Sequence, residues 1–137
     1  MNEISPDVQR MLDRGIGELA TKMGIELVSL SAERAEATMP AAGNTQPFGV
    51  VHGGAYVVLA ESLGSMAANV WAGADQVAVG IEVNASHSRS AREGVIRAVA
   101  TAIHLGRTLT THEVAITDEA GRRLSTVRIT NLLRDAN

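Results

Sequence analysis

The stretch QPFGVVHGGAYVVLAESLGS, residues 46–65, sets one carboxylate, Glu61, within a run of apolar and small residues that opens on His52, Gly53 and Gly54. The run continues to about Ala72, so the segment from about His52 to Ala72 reads as one helix, about 30 Å long at 1.5 Å per residue. It is apolar nearly all round, as a helix enclosed by other elements must be. At helical neighbour spacing Glu61 meets Val57, Val58, Gly64, Ser65 and Ala68, none of them basic. Such a carboxylate marks either a solvated edge of the helix or a place where chemistry is done.

The two glycines sharpen the question. Glycine costs a helix about 1 kcal/mol relative to alanine, so a pair at its start serves either a turn or the close approach of a ligand. In the second reading the missing Cβ atoms of Gly53 and Gly54 let a carbonyl oxygen reach the free N–H groups of the first turn, at the positive end of the helix dipole. Charge developing on that oxygen is then stabilised, by about 10²–10³ in rate per donor. Glu61 lies about 12 Å further along the axis, too far for one chain to bring both groups to one carbonyl. Two copies packed antiparallel about a two-fold axis near Val57 would set Gly53 of one beside Glu61 of the other. Ala60, Gly64, Ala67 and Ala68 are small enough to allow it.

Outward from the helix, Ser5-Pro6-Asp7 reads as a helix cap, and Val8, Met11, Leu12, Ile16, Leu19 and Met23 continue a helix-spaced stripe to about Gly24, weakened by Gly15 and Gly17. Residues 25–30 and 33–39 read as strands joined by a tight turn, and 40–49 as a loop. From Gln76 the period becomes two, with Val77, Val79, Ile81 and Val83 alternating with Ala78, Gly80, Glu82 and Asn84. Further strands are expected at 94–105, 108–118 and 122–133, the last two joined by a hairpin turn at Asp118-Glu-Ala-Gly121. One long helix and about six strands in meander order predict an α+β domain whose antiparallel sheet curls around the helix.

The 137 residues suffice for one domain, spanning 1–137. With Phe48, Tyr56 and Trp71 as the only aromatics, the interior has to be built from Val, Ile, Leu, Ala and Met. A net charge of −3 without a Lys/Arg block argues against a nucleic-acid surface. The absence of cysteine excludes disulfides and thiolate chemistry. No leader pattern or 18-residue apolar run is visible, so the expected location is the cytoplasm, with no membrane partner. His52, His87, His104 and His112 lack metal-ligand spacing, and no G-x-S-x-G elbow exists, so neither a metal nor a serine nucleophile is expected.

Gln46, Val51-His52-Gly53-Gly54-Ala55, Leu59-Ala60-Glu61-Ser62 and Ser65 together resemble the hotdog-fold acyl-CoA thioesterases, of the 4-hydroxybenzoyl-CoA and phenylacetate-pathway type. The similarity continues through Ala78-Val79-Gly80, Arg89, Glu93-Gly94, His104-Leu105-Gly106 and Asp118 to Arg122, covering most of the chain from about Gly24. The resemblance implies a sheet wrapped around the helix, a homodimer with shared active sites that assembles into a homotetramer, and hydrolysis of an acyl-CoA thioester without metal or cofactor. It makes Glu61 the nucleophile or the base that activates water, and the Gly53 N–H the donor to the carbonyl oxygen. Gln46 falls near the carbonyl or the water, His52 supports the thioester end, and Ser65 helps hold the acid or the water. Gly54, Arg89, Arg107, Thr108 and Arg134 fall on the substrate and CoA side. Where relatives often carry an aromatic followed by Arg-Pro, this chain has Ser88-Arg89-Ser90. A noncatalytic acyl-CoA sensor on the same scaffold is the alternative reading, and it would not need an acid at position 61. A dehydratase would need a histidine ahead of the acid in a different arrangement.

Overall fold

The computed structural model describes residues 4–136. Helix α1 spans Pro6–Arg14, with the Ser5 side chain accepting the Val8 N–H at 3.2 Å and Pro6 in its first turn. The single N-terminal helix expected to reach Gly24 is broken in two: Gly15 and Gly17 adopt φ of 81° and 91°, a left-handed region that favours glycine, and α2 resumes at Glu18–Lys22. Strands β1 (Glu26–Leu30) and β2 (Arg34–Pro40) follow, then α3 (Gly53–Ala72). The C-terminal half is β3 (Gln76–His87), β4 (Val95–Leu105), β5 (Leu109–Thr117) and β6 (Arg123–Asp135).

The sheet is antiparallel throughout, in the order β1-β2-β4-β5-β6-β3. This corrects the meander expectation at one strand. β3 does not lie beside β2 or β4 but on the far edge, against β6. The reason is α3, which carries the chain across the inner face of the sheet before β3 begins. The return from β3 to β4 then passes beneath the helix start, where the Ala91 carbonyl accepts the Val51 N–H at 2.8 Å. The β5–β6 hairpin forms as expected. Asp118 accepts the N–H groups of Ala120 and Arg122 at 3.0 and 2.9 Å, and the Arg122 backbone N–H is the main cause holding its carboxyl below the usual range.

α3 buries Ala55, Tyr56, Leu59, Ala60, Leu63, Gly64, Ala67 and Ala68 against the sheet. Beneath it, Ala35 faces Ala100 and Ala37 faces Ala98 across β2 and β4, all four fully buried. Methyl groups therefore form this part of the floor, and Met39, Ile96, Val114, Ile116, Val127 and Ile129 fill around them. At Gly64 the contact is backbone to side chain, since a Cβ there would stand 2.5 Å from Ile129 Cγ2. The helix is not enclosed all round, as its composition suggested: Val57, Glu61, Ser62, Ser65 and Met66 are only half-buried in the protomer, and Trp71 is exposed.

Candidate active site

The start of α3 is set by a loop closed through a bridge between Thr45 and Val51. His52 is the N-cap, and its Nδ1 accepts the Gly54 N–H at 2.8 Å. An accepting Nδ1 places the proton of the neutral ring on Nε2. The Ala55 N–H is taken by the His52 carbonyl at 2.9 Å. Among the described residues the Gly53 N–H has no hydrogen-bond partner, so it is the donor left open at the positive end of a 20-residue helix. The expectation of free donors at both glycines is thereby narrowed to Gly53, and the His52 side chain is occupied in capping.

Gly53 lacks a side chain for a visible reason: a Cβ would stand 2.9 Å from His87 Nε2 and 3.0 Å from its Cδ2. The His87 ring packs at a tilt on Tyr56, with centroids 5.4 Å apart. His87 Nδ1 lies 2.8 Å from Ser125 Oγ, whose hydroxyl donates to the Ser86 carbonyl at 3.2 Å. Nδ1 is then the donor to Ser125, and the Nε2 lone pair faces Gly53. Val51, Gly53, Tyr56, His87 and Arg89 line a cleft of about 360 Å³. Burial pushes the Tyr56 phenol above its ordinary value, opposed in part by the Ala91 backbone, which its hydroxyl approaches without closing a well-shaped hydrogen bond.

Glu61 sits two turns further along, half-buried, with Oε2 3.3 Å from the point where a Gly80 Cβ would stand. It forms no ion pair among the described residues. Ser65 is one turn on, but no hydrogen bond joins its hydroxyl to Glu61 among the described residues; its carbonyl accepts the Asn69 amide at 2.8 Å. Gln46 is half-buried, and its Oε1 accepts the Phe48 N–H, so the amide is tied into its own loop. The arginines and threonine assigned to the CoA side divide. Arg89 lies in the Gly53 cleft. Arg107, Thr108 and Arg134 gather at the opposite end of α3, where the Trp71 indole N–H donates to the Gly106 carbonyl at 2.8 Å and the Thr108 carbonyl accepts the Leu133 N–H at 2.8 Å.

The chain thus holds the open N–H and Arg89 at one end of the helix, the acid in its middle, and Arg107, Thr108 and Arg134 at the other end. Two neighbours of these groups, His87 beside Gly53 and Gly80 beside Glu61, were not singled out as site residues from the sequence. His87 reads as the end of an ordinary alternating strand, and Gly80 as one of its small positions. Only the curl of β3 over the helix reveals them.

A family model described as the thioesterase superfamily matches residues 48–125. The chain is 45% identical over 115 residues to the proofreading thioesterase EntH of Cronobacter turicensis, covering 83% of this chain and 84% of that protein. It is 42% identical over 120 residues to the 1,4-dihydroxy-2-naphthoyl-CoA hydrolase of Escherichia coli, covering 87% and 88%. Among solved structures, a mutant thioesterase from Pseudomonas aeruginosa superposes with a TM-score of 0.86 at 36% identity, over 98% of each chain. A thioesterase from Haemophilus influenzae gives 0.87 at 31% identity, over 98% of this chain and 93% of that one.

Proposed function

The chain belongs to the thioesterase superfamily, and from that premise we propose that it hydrolyses a small aromatic or short- to medium-chain acyl-CoA at sites shared between two protomers. The thioester carbonyl oxygen accepts the Gly53 N–H of one protomer, and Glu61 of the other supplies the carboxylate. Either that carboxylate attacks the carbonyl carbon, expelling CoA thiolate and leaving an anhydride that water then opens, or it takes a proton from the attacking water. Both routes consume one water and yield the free acid and CoA. Both also place negative charge on the oxygen held at Gly53, where the helix end stabilises it.

The observation that carries this reading is the pairing of one open backbone donor, at Gly53, with one unneutralised acid, at Glu61, on the same rod. Sharing between protomers is supported by β3, a 12-residue edge strand with Val79 and Ile81 36% and 55% exposed. A long apolar edge needs cover. A second copy laid against it brings the half-buried flank of α3 toward its twin, and the Arg107, Thr108 and Arg134 end of that twin toward the Gly53 cleft, where they meet the nucleotide part of CoA together with Arg89. Gln46, whose amide nitrogen is not used by the Phe48 contact, approaches the carbonyl or the water through Nε2, Ser65 helps hold the acid or the water, and His52 supports the thioester end by fixing the first turn. The aromatic acyl choice is favoured by the relative named for 1,4-dihydroxy-2-naphthoyl-CoA.

Thiol release from a panel of benzoyl-, phenylacetyl- and aliphatic acyl-CoA substrates tests the activity. Glu61→Gln is expected to lose about 10²–10⁴ in turnover with CoA binding kept, and unchanged turnover removes the role assigned to Glu61. Mixing inactive Glu61→Ala with inactive Gly53→Pro chains should restore one site per mixed dimer. Mixed dimers without recovery contradict sharing.

A further inference from the structure

We propose that Asn131, backed by Thr110, is a positioning residue that holds the Glu61 carboxylate from the sheet side. The inference rests on the assignment of Glu61 as the reacting acid. In register, Asn131 of β6 stands directly between Thr110 of β5 and Gly80 of β3. Directly paired residues share a face of the sheet. Here it is the inner face, because Ile129 and Leu133, two residues to either side of Asn131, are buried against α3 residues Gly64 and Ala68 respectively.

Asn131 and Thr110 are both fully buried, yet among the described residues neither amide atom of Asn131 nor the Thr110 hydroxyl meets a partner. Native folds leave few such groups, and each calls for an explanation. Three of them side by side on one rung of the sheet are not an accident of packing, since an alanine or valine would fill either place without the desolvation penalty. On the Gly80 side, what Asn131 faces is Glu61. The point where a Gly80 Cβ would stand is 3.3 Å from Glu61 Oε2 and 3.8 Å from Asn131 Oδ1. Because Gly80 has no side chain, nothing from that residue separates the amide from the carboxylate.

The two ends of an asparagine amide exchange places by a half-turn about χ2, at almost no change in shape. With Nδ2 toward Glu61, the amide donates to the carboxylate, directly or through one water. Its Oδ1 then turns toward Thr110, whose hydroxyl donates to it. One rotation gives partners to all three orphaned groups. It also suits the chemistry: a neutral donor fixes one carboxylate oxygen and leaves the charge, and the second oxygen, available for the thioester. A lysine or arginine at 131 would neutralise the acid instead.

The test is Asn131→Leu, measured by steady-state thiol release alongside thermal melting, in wild-type and Glu61→Gln backgrounds. The expected result is a roughly tenfold fall in kcat with KM within about twofold, the size of one hydrogen bond to a charged group, and a melting temperature no lower than wild type. In the Glu61→Gln background the same substitution should change residual turnover by less than about twofold, because the two residues act as one unit. Undiminished kcat in the folded variant, or an equal fall in both backgrounds, overturns the proposal. Should Asn131→Leu fail to fold, Thr110→Val decides the matter: a fall of about threefold in kcat supports it and no fall overturns it. Wild-type turnover in Glu61→Gln alone would instead remove the underlying assignment of the acid, whereas an inactive Glu61→Gln beside an unaffected Asn131→Leu removes only the role given to Asn131.

Discussion

Replacing Gly80 by alanine adds one methyl group beside the Glu61 carboxylate, and its two effects have opposite signs. Gly80 does not adopt the left-handed φ that would bar a side chain, so alanine fits the strand and stiffens the unfolded chain, a gain of about 0.4–1 kcal/mol. With an unfolding entropy of about 2.1 cal/mol/K per residue over 137 residues, that raises Tm by roughly 1.5–3.5 °C. The new Cβ stands 3.3 Å from Glu61 Oε2, tighter than ordinary contact, so the carboxylate has to give by a few tenths of an ångström. If a displacement of 1 Å costs about 10²-fold in rate, a few tenths cost roughly four- to tenfold. The variant is therefore expected to be slightly more heat-stable and several-fold slower. Calorimetry and thiol release on one preparation read both. Undiminished turnover with a raised Tm would show that the position of this carboxylate does not govern the reaction. A fall in both would show that the strand itself resents the methyl group, and the argument from contact distance would fail.

Gly64→Ala should destabilise without a direct effect on the chemistry: its Cβ would stand 2.5 Å from Ile129 Cγ2, and overpacking of about 1–3 kcal/mol outweighs the roughly 1 kcal/mol gained in helix propensity, as urea midpoints will read. His112 gives a pH dependence. It is fully buried and donates through Nε2 to the Ala32 carbonyl at 2.8 Å, and burial holds its pKa below the ordinary 6.5 despite that hydrogen bond. The unfolded chain then binds more protons than the folded one, so the stability His112 contributes is complete above pH 6.5 and is lost as pH falls from there toward the folded-state pKa. Denaturation midpoints between about pH 5 and 7.5 should fall toward the acid end, with a flatter slope in His112→Gln; equal slopes would remove His112 as the cause.

The long helix was legible because its run of apolar and small residues, apolar nearly all round, is about 20 residues long and so far longer than a strand, and the β5–β6 turn because Asp118 and Gly121 are the residues such a turn requires. The acid and the glycine tip were legible for the same reason: each breaks the pattern around it. The place of β3 was not, because alternation along a strand states which face is buried and says nothing about which strand lies alongside. The break in the N-terminal helix was written in Gly15 and Gly17, but their cost had to be weighed against an unbroken apolar stripe. His87, Gly80 and Asn131 carry no local signal. His87 and Gly80 take their meaning from neighbours 34 and 19 residues away in sequence, Gly53 and Glu61, and the role proposed for Asn131 depends on Glu61, 70 residues away.

The facing alanines of β2 and β4 carry a consequence for how this protein can change. Where a helix is seated on larger side chains, a substitution is absorbed by neighbours that swing to new angles, and the axis drifts. Here the seat under this part of the helix is made of methyl groups on the main chain, which cannot themselves swing to take up slack. Enlarging Ala35, Ala37, Ala98 or Ala100 has to lift or tilt the whole rod, and every functional group on it travels together. Libraries randomised at these four positions should therefore lose activity toward all acyl groups in parallel, with no variant gaining preference for one of them.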